Sequence, residues 1–477
     1  MGEEIGSSQF DEAAFAAFHM RLQQETALLA TWFESGRFED THPIAGFELE
    51  AWLVDAHYRP APLNDDFLQR FDNPLASPEL AAFNIEVNST PRILQGHAFT
   101  AMHDELQNTW RDCRKTAAEL DSRVVMIGIL PTVENEVLSL ANMSRMERYR
   151  ALNREVVRNR RGKPIVLDIN GVEHLKVTHR DVMMESVATS FQIHLQVRAA
   201  NAVRYYNASC ALSAAMVALS ANSPYLFGKD LWDETRIPVF EQAVAVGGYA
   251  GAAFGPIRRV TFGSGYARHS LMECFSENLQ HYPVLLPVEL DGAPDSLHYL
   301  RLHNGTIWRW NRPLIGFDDK GQPHLRLEHR VVPSGPTVVD AMANAAFFYG
   351  VVTALAEAPT PIEHGLSFDH ARDNFYHAAR SGLRCHVQWL DGKTIAMTRL
   401  ILEHLLPLAK QGLQVLGIAE DEIQDYLQII QARVSSGSNG AAWQRAFVKR
   451  NGRDMVALTA AYLERQDKGQ PVHEWTV

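Results

Sequence analysis

Cysteine is scarce in this 477-residue chain, which contains Cys113, Cys210, Cys274 and Cys385. None of the four is spaced as a redox pair or a paired metal site, so we expect small buried thiols in a reducing cytoplasm. Long apolar runs are also lacking, and this predicts that no helix crosses a membrane. The acidic beginning of the chain has no basic segment followed by an apolar core, which argues against a secretion signal.

Two further absences reduce the number of functional classes to which the protein can belong. The sequence has no glycine-rich phosphate loop of the GxGxxG or GxxxxGK[ST] type and no regular alternation of strand and helix. The formal net charge is −11, from 45 basic and 56 acidic residues. This balance disfavours nucleic acid and anionic membranes as partners, and it means that local arginines or metal ions must hold any anionic substrate.

Helical and strand-like segments are mixed along the chain. Apolar residues recur at helical spacing in residues 10–35, 97–121, 199–222, 337–357, 367–382, 393–416, 420–435 and 455–466. Strict alternation predicts strands at residues 46–54, 83–89, 190–197, 298–310 and 324–332. Loops are predicted at 245–256, 333–336 and 435–440. We therefore expect an α+β fold, with a mainly antiparallel sheet and helices on one face and at one end.

Polar residues fall on one face of each of four predicted strands, because side chains alternate across a strand. These faces carry Glu48, Glu50 and Trp52; Asn84, Glu86 and Asn88; Ser190, Gln192, His194 and Gln196; and His324, Arg326, Glu328 and Arg330. A solvated sheet face would alternate in the same way. These faces contain no lysine, however, and they are rich in side chains that bind metals and anions with defined geometry.

The acidic residues on these faces predict a metal site. Glu48 and Glu50 point to the same side of one strand, where their charges repel unless a cation lies between them. If the strands are neighbours, the two carboxylates converge with Glu86, Glu328 and His194. Oxygen ligands with one imidazole suit Mg²⁺ or Mn²⁺.

Arginines accompany these carboxylates. Arg326 and Arg330 flank Glu328 on the same face, Arg312 follows the segment TIWRWN, and Arg92 follows the Glu86 strand. Carboxylates that hold metal beside arginines that hold oxyanions are what phosphoryl transfer requires. Arg92 and Arg312 are equally compatible with surface salt bridges.

Five segments in this order resemble the motifs of the bacterial glutamate–cysteine ligase family 2. They are GFELEAWLVD, FNIEVNSTPR, TSFQIHLQV, HNGTIWRWNRP and LRLEHRVV, and FYHAARSGL and SGSNGAAWQRAF near the C-terminus are similar as well. The resemblance implies a glutamine-synthetase-like fold, in which a curved antiparallel sheet forms a cleft for ATP, two or three divalent ions and glutamate. It implies one catalytic domain over residues 1–477, with the sheet in about 44–335 and a helical part in about 336–477.

The same resemblance implies roles for individual residues. Glu48, Glu50, Glu86, Glu328 and His194 would be metal ligands, with His194 also near the reacting groups. Gln192, Arg312 and Arg326 would contact substrate or ATP, Arg330 would face the γ-phosphate, and Arg236, in DETRIPVFEQ, would bind the substrate's carboxylate.

The implied reaction is the ATP-dependent joining of glutamate to cysteine. ATP would convert the γ-carboxylate into an acyl phosphate, which the amine then attacks. No cysteine-binding pocket can be matched residue by residue, so a different amine acceptor stays open. A phosphagen-type kinase and a non-catalytic binding protein are the alternatives from other classes, and the four intact glutamates argue against the latter. A homo-oligomer is compatible with the sequence.

Overall fold

The computed structural model describes residues 4–6, 8–40, 42–246 and 258–477. Its strands, in chain order, are β1 (Ile44–Val54), β2 (Ala76–Pro78), β3 (Asn84–Asn88), β4 (Arg92–Ile93), β5 (Arg123–Val125), β6 (Ile165–Asn170), β7 (His174–His179), β8 (Phe191–Val197), β9 (Tyr225–Leu226), β10 (Lys229–Asp230), β11 (Val260–Thr261), β12 (Trp308–Arg309), β13 (Asn311–Phe317), β14 (Pro323–His329), β15 (His386–Gln388) and β16 (Thr394–Ala396).

The α-helices are α1 (Glu12–Ser35), α2 (Asn64–Phe71), α3 (Ala98–Ala118), α4 (Glu147–Asn159), α5 (Ala202–Ser220), α6 (Arg236–Ala243), α7 (Met272–His281), α8 (His298–Gly305), α9 (Val338–Glu357), α10 (Phe368–Ser381), α11 (Met397–Leu400), α12 (Leu406–Val415), α13 (Glu420–Ser436), α14 (Gly440–Asn451) and α15 (Met455–Lys468). A π-helical turn, Ile401–Leu405, joins α11 to α12.

One curled antiparallel sheet organises the molecule. Its strand order is β13-β14-β8-β1-β3-β2, and β4 and β5 also pair with β1. The register sets Glu328 opposite His194 and Glu50 opposite Glu86. Because paired residues point to the same side of a sheet, the polar faces of four strands join into one continuous polar surface.

The opposite face of this sheet is apolar and lies against helices. Its strands contribute Phe47, Leu49, Ala51, Leu53, Ile85, Val87, Phe191, Ile193, Leu195, Val197, Leu325 and Leu327 to the main core. Helices α5 and α9 pack on it, and both are buried along nearly their whole length because they are apolar on every side. The Tyr349 hydroxyl of α9 donates to the backbone carbonyls of His194 (3.0 Å) and Gly46 (3.2 Å), directly behind the polar face.

Helix α9 is long and apolar enough to cross a membrane by length and composition alone. It is instead a core helix, since nearly all of it is enclosed by the rest of the protein. Thr337 caps its first turn by accepting a hydrogen bond from the backbone N–H of Asp340.

Four of the predicted strands and the predicted helices are confirmed, except that the helix predicted at 393–416 begins only at Met397, because residues 394–396 form β16. The strand predicted at residues 298–310 is wrong, because residues 298–305 form α8 and only Trp308–Arg309 pair as β12. Leu300 and Leu302 alternate with polar residues, which imitates a strand. The buried residues Tyr299, Leu300, His303 and Asn304 follow helical spacing instead. Strand β13, which follows at once, was not predicted.

The C-terminal part is helical as predicted, apart from the small hairpin of β15 and β16. The loop predicted at 435–440 is shorter, since α13 ends at Ser436 and α14 begins at Gly440. Asn439 caps α14 by accepting from the backbone N–H of Ala442 at 2.9 Å. Most of the loop predicted at 245–256 lies outside the described residues.

Candidate active site

A cavity of about 330 Å³ lies over the polar face of the sheet. The sheet contributes Glu48, Glu50, Glu86, Gln192, Arg312, Arg326, Glu328 and Arg330 to its wall. The same face of β8 carries His194. Helices α4 and α8 and a 3₁₀ turn, Met183–Val187, contribute further wall residues, and shorter segments such as the one with Glu79 and Leu80 add others. Most of these polar side chains are nearly inaccessible to solvent, so the alternative of an ordinary solvated sheet face does not apply.

Glu48, His194 and Glu328 form a first group of potential metal ligands. Each offers one ligand atom, and these atoms lie within 4.8 Å of one another. The Nε2 atom of His194 is 3.5 Å from Oε1 of Glu48 and 3.9 Å from Oε1 of Glu328. The group joins three adjacent strands, β1, β8 and β14, so the sheet itself fixes its geometry.

The imidazole of His194 is neutral at pH 7. Burial lowers its pKa to about 4, against the attraction of Glu48 and Glu328. Both ring nitrogens are buried and have no hydrogen-bond partner among the described residues. A buried imidazole without partners is costly, and a neutral imidazole beside two carboxylates is a donor set that fits a divalent metal.

Glu50, Glu79 and Glu86 form a second group, again with ligand atoms within 4.8 Å of one another. Burial and the charges of Glu48 and Glu50 raise the pKa of Glu86 to about 7. Burial and its acidic neighbours also raise the pKa of Glu79 well above its ordinary value. Carboxylates forced together in this way favour either protons or a cation between them.

Hydrogen bonds hold Glu50 in place. Its carboxylate accepts from the backbone N–H (2.7 Å) and the hydroxyl (2.9 Å) of Ser190, and from the side-chain amide of Gln192 (2.9 Å). The amide oxygen of Gln192 in turn accepts from Arg330. Gln192 therefore links the second acidic group to Arg330.

The arginines of the cleft have different partners. Arg312 binds Glu328 with two hydrogen bonds, of 2.7 and 2.9 Å, which are the geometry of a bidentate pair. Arg330 lies 3.2 Å from the same carboxylate. Burial would raise the pKa of Glu328, but these guanidinium groups hold it well below its ordinary range. Arg326 also lines the cavity, and its Nε is buried without a hydrogen-bond partner among the described residues.

Arg236 does not line the described part of the cavity wall. Its side chain is 2% exposed, pairs with Glu234 at 3.1 Å and donates to the backbone carbonyls of Arg330 (3.2 Å) and Val331 (2.5 Å). The structure therefore does not place it where it could bind the substrate's carboxylate. Arg92 forms a part-exposed pair with Glu105 at 2.9 Å, which matches the surface salt-bridge alternative.

The sequence interpretation missed several residues of the cavity wall, notably Glu79, Arg148, Tyr149 and Glu185. Tyr149 and Arg148 lie on α4 and donate to the backbone carbonyl of Pro78, next to Glu79. These residues lie outside the long strands, so strand alternation could not reveal them. A weak signal existed for Glu185, which is the one charged residue in the apolar run VMMESVA.

The sequence profile of glutamate–cysteine ligase family 2 (GCS2) matches residues 44–464. The chain belongs to this family. It is accordingly an ATP-dependent ligase that joins a carboxylate to an amine, acting on ATP and small molecules such as amino acids. A comparison with curated protein sequences finds no match.

Solved structures share the fold of this ligase at low sequence identity. A glutamate–cysteine ligase from Francisella tularensis in complex with AMP has a TM-score of 0.55 and 11% identity, and the alignment covers 90% of each chain. A bifunctional glutathione synthetase from Pasteurella multocida has a TM-score of 0.51 and 11% identity, covering 93% of this chain and 55% of that one. The expected glutamine-synthetase-like fold is confirmed.

Proposed function

We propose that the enzyme joins the γ-carboxylate of glutamate to the amino group of cysteine, using ATP and Mg²⁺ or Mn²⁺, in the cytoplasm. We also propose that residues 1–477 act as one catalytic domain. The family membership supports the ligase chemistry, and the similar fold of the F. tularensis glutamate–cysteine ligase supports this substrate pair. The observation that carries the proposal is the pair of acidic groups on one buried sheet face with Arg330 beside both.

The residues present fit two divalent cations. Glu48, His194 and Glu328 would hold one, and Glu50, Glu79 and Glu86 the other. Bound cations would neutralise the phosphate oxygens of ATP and the carboxylate to be activated. The chain needs no nucleophile of its own, because ATP converts the carboxylate into an acyl phosphate with a good leaving group.

The chain's own residues position the reactants. Arg330 is held by Gln192 and Glu328, so its guanidinium is fixed before substrate binds. A fixed cation at the transferring phosphate stabilises charge that develops in the transition state. Arg312 contributes indirectly, because it uses its bidentate face to orient Glu328.

The test is a steady-state assay of ADP release with glutamate and a panel of amines, with each product identified by mass. We expect γ-glutamylcysteine, ADP and phosphate, and no turnover in excess chelator. If glutamate supports ADP release but cysteine is among the poorer amines, the acceptor is wrong and the carboxylate is right. A phosphorylated guanidine as product would instead establish the kinase alternative, and turnover in chelator would refute the metal sites.

A further inference from the structure

Glu185 is an acidic residue that belongs to neither of the two groups of potential metal ligands. It lies in the 3₁₀ turn Met183–Val187, between the buried side chains of Met184 and Val187. An apolar turn would be expected to present another apolar residue here. Its side chain instead contributes to the wall of the cavity, and its turn precedes β8 in the chain.

The carboxylate of Glu185 forms no hydrogen bond or ion pair with the residues that the structure describes. It also stands outside both groups of potential metal ligands. Its charged neighbours are Glu50 on β1, Glu79 after β2 and Arg330 directly after β14. A carboxylate that lines a cavity without a partner among the described residues is free to meet a group that a substrate brings.

The geometry points to Glu185 as the residue that binds the ammonium group of the incoming amine and takes the proton that the amine must lose. This inference rests on the proposed function. The amine has to reach the carbonyl carbon of the acyl phosphate. In the proposed function, Arg330 contacts the phosphate that is attached to this carbon. Glu185 lines the same cavity as Arg330, and its acidic surroundings attract a cationic ammonium group.

The step balances without a further reactant. A substrate ammonium R–NH₃⁺ transfers one proton to the Glu185 carboxylate and becomes R–NH₂. The nitrogen lone pair forms the C–N bond with the acyl carbon, and the C–O bond to phosphate then breaks with its electron pair. The second proton leaves the nitrogen as the tetrahedral intermediate collapses, and the departing phosphate can carry it away.

Hydroxylamine separates this role from the rest of the reaction, because it is uncharged at neutral pH and needs no base before it attacks. We expect Glu185→Gln to lower kcat/KM for the preferred amino-acid amine by roughly 100-fold, the usual contribution of a general base. Formation of glutamyl hydroxamate from glutamate, ATP and hydroxylamine should change little. The KM values for ATP and glutamate should also change little. Glu464→Gln, an exposed change on α15, is the control.

Three outcomes overturn the inference. Equal losses with hydroxylamine and with the amino-acid amine would show that Glu185 serves an earlier step. A higher requirement for Mg²⁺ with both nucleophiles would make Glu185 a metal ligand. Unchanged kinetics with the amino-acid amine would remove any role. If Glu185→Gln does not fold, Glu185→Asp can replace it, because the shorter side chain keeps the charge but moves it away from the cavity. The loss of activity should again be confined to the ammonium substrate.

Failure of the proposed function gives a different result. If the unmodified enzyme makes no hydroxamate from glutamate, the acyl phosphate or the choice of glutamate is wrong, whatever Glu185 does.

Discussion

His194 is a buried imidazole whose ring nitrogens find no hydrogen-bond partner in the part of the chain that the structure describes. A second buried histidine offers a comparison, since Nε2 of His303 lies 3.1 Å from the backbone carbonyl of Asn278. Burial lowers the pKa of both rings, to about 4 for His194 and about 3 for His303. The two rings therefore have the same charge state and similar burial but different hydrogen-bond partners. Comparing variants at the two positions can show whether His194 is a metal ligand or a structural residue.

We predict that His194→Leu stabilises the metal-free protein by about 1–2 kcal/mol, because it removes a buried polar ring that makes no hydrogen bond to the described residues. The same change should nearly abolish metal-dependent ligation. His303→Leu should instead destabilise the protein by about 1 kcal/mol, because it removes a hydrogen bond. Thermal unfolding in excess chelator and ADP release in Mg²⁺ or Mn²⁺ measure the two effects. Destabilisation by His194→Leu with activity retained would mean that His194 is structural.

At the scale of elements, Arg236, the first residue of α6, holds the two residues that directly follow β14. Arg236 donates to the backbone carbonyls of Arg330 and Val331, and Glu234 neutralises its charge. The ring of Trp310 lies under the same guanidinium, 5.4 Å away. This arrangement fixes the backbone from which the Arg330 side chain enters the cleft. Arg236 is therefore a positioning residue.

We predict that Arg236→Lys lowers kcat by roughly tenfold or more while the KM for glutamate changes little, because lysine keeps the charge but lacks the planar fork that spans two carbonyls. If it acts through Arg330, its effect on kcat should largely disappear in an Arg330→Ala background. Thermal unfolding of each variant checks that the fold is retained. Additive effects on kcat, or a selective rise in the KM for glutamate, would refute the positioning role.

The polar cleft was predictable from sequence because strand alternation is a local property. Glu48, Glu50, Gln192, His194 and Glu328 all lie on long regular strands, so their shared face followed from spacing alone. The buried contacts of Arg236 could not be predicted, because the direction of a side chain in the first turn of a helix depends on how that helix packs. Glu79 and Glu185 were missed because short turns carry no periodic signal.

Across the whole molecule, the pKa values of several carboxyls in the cleft are raised in the absence of metal. Burial and neighbouring charges raise the pKa of Glu86 to about 7 and that of Glu185 to about 8. The pKa values of Glu50 and Glu79 are raised as well, first by burial. Such carboxyls bind protons more tightly in the folded state, so they favour folding at low pH. That advantage declines as pH rises from the ordinary value of 4.5 towards the raised pKa.

We predict that the metal-free protein loses roughly 2–4 kcal/mol of stability between about pH 6.5 and about pH 8, since each such carboxyl contributes about 1.4 kcal/mol per pH unit within its window. Histidines with lowered pKa values change the stability only below this pH range. Mg²⁺ should replace the protons, so the gain in melting temperature on adding Mg²⁺ should be larger at the higher pH. Glu79→Gln should reduce both the decline and the gain, whereas the exposed Glu464→Gln should leave them unchanged. A melting temperature that rises with pH in chelator, or an equal response to Mg²⁺ at both values, would show that the acidic groups neither share protons nor bind the cation.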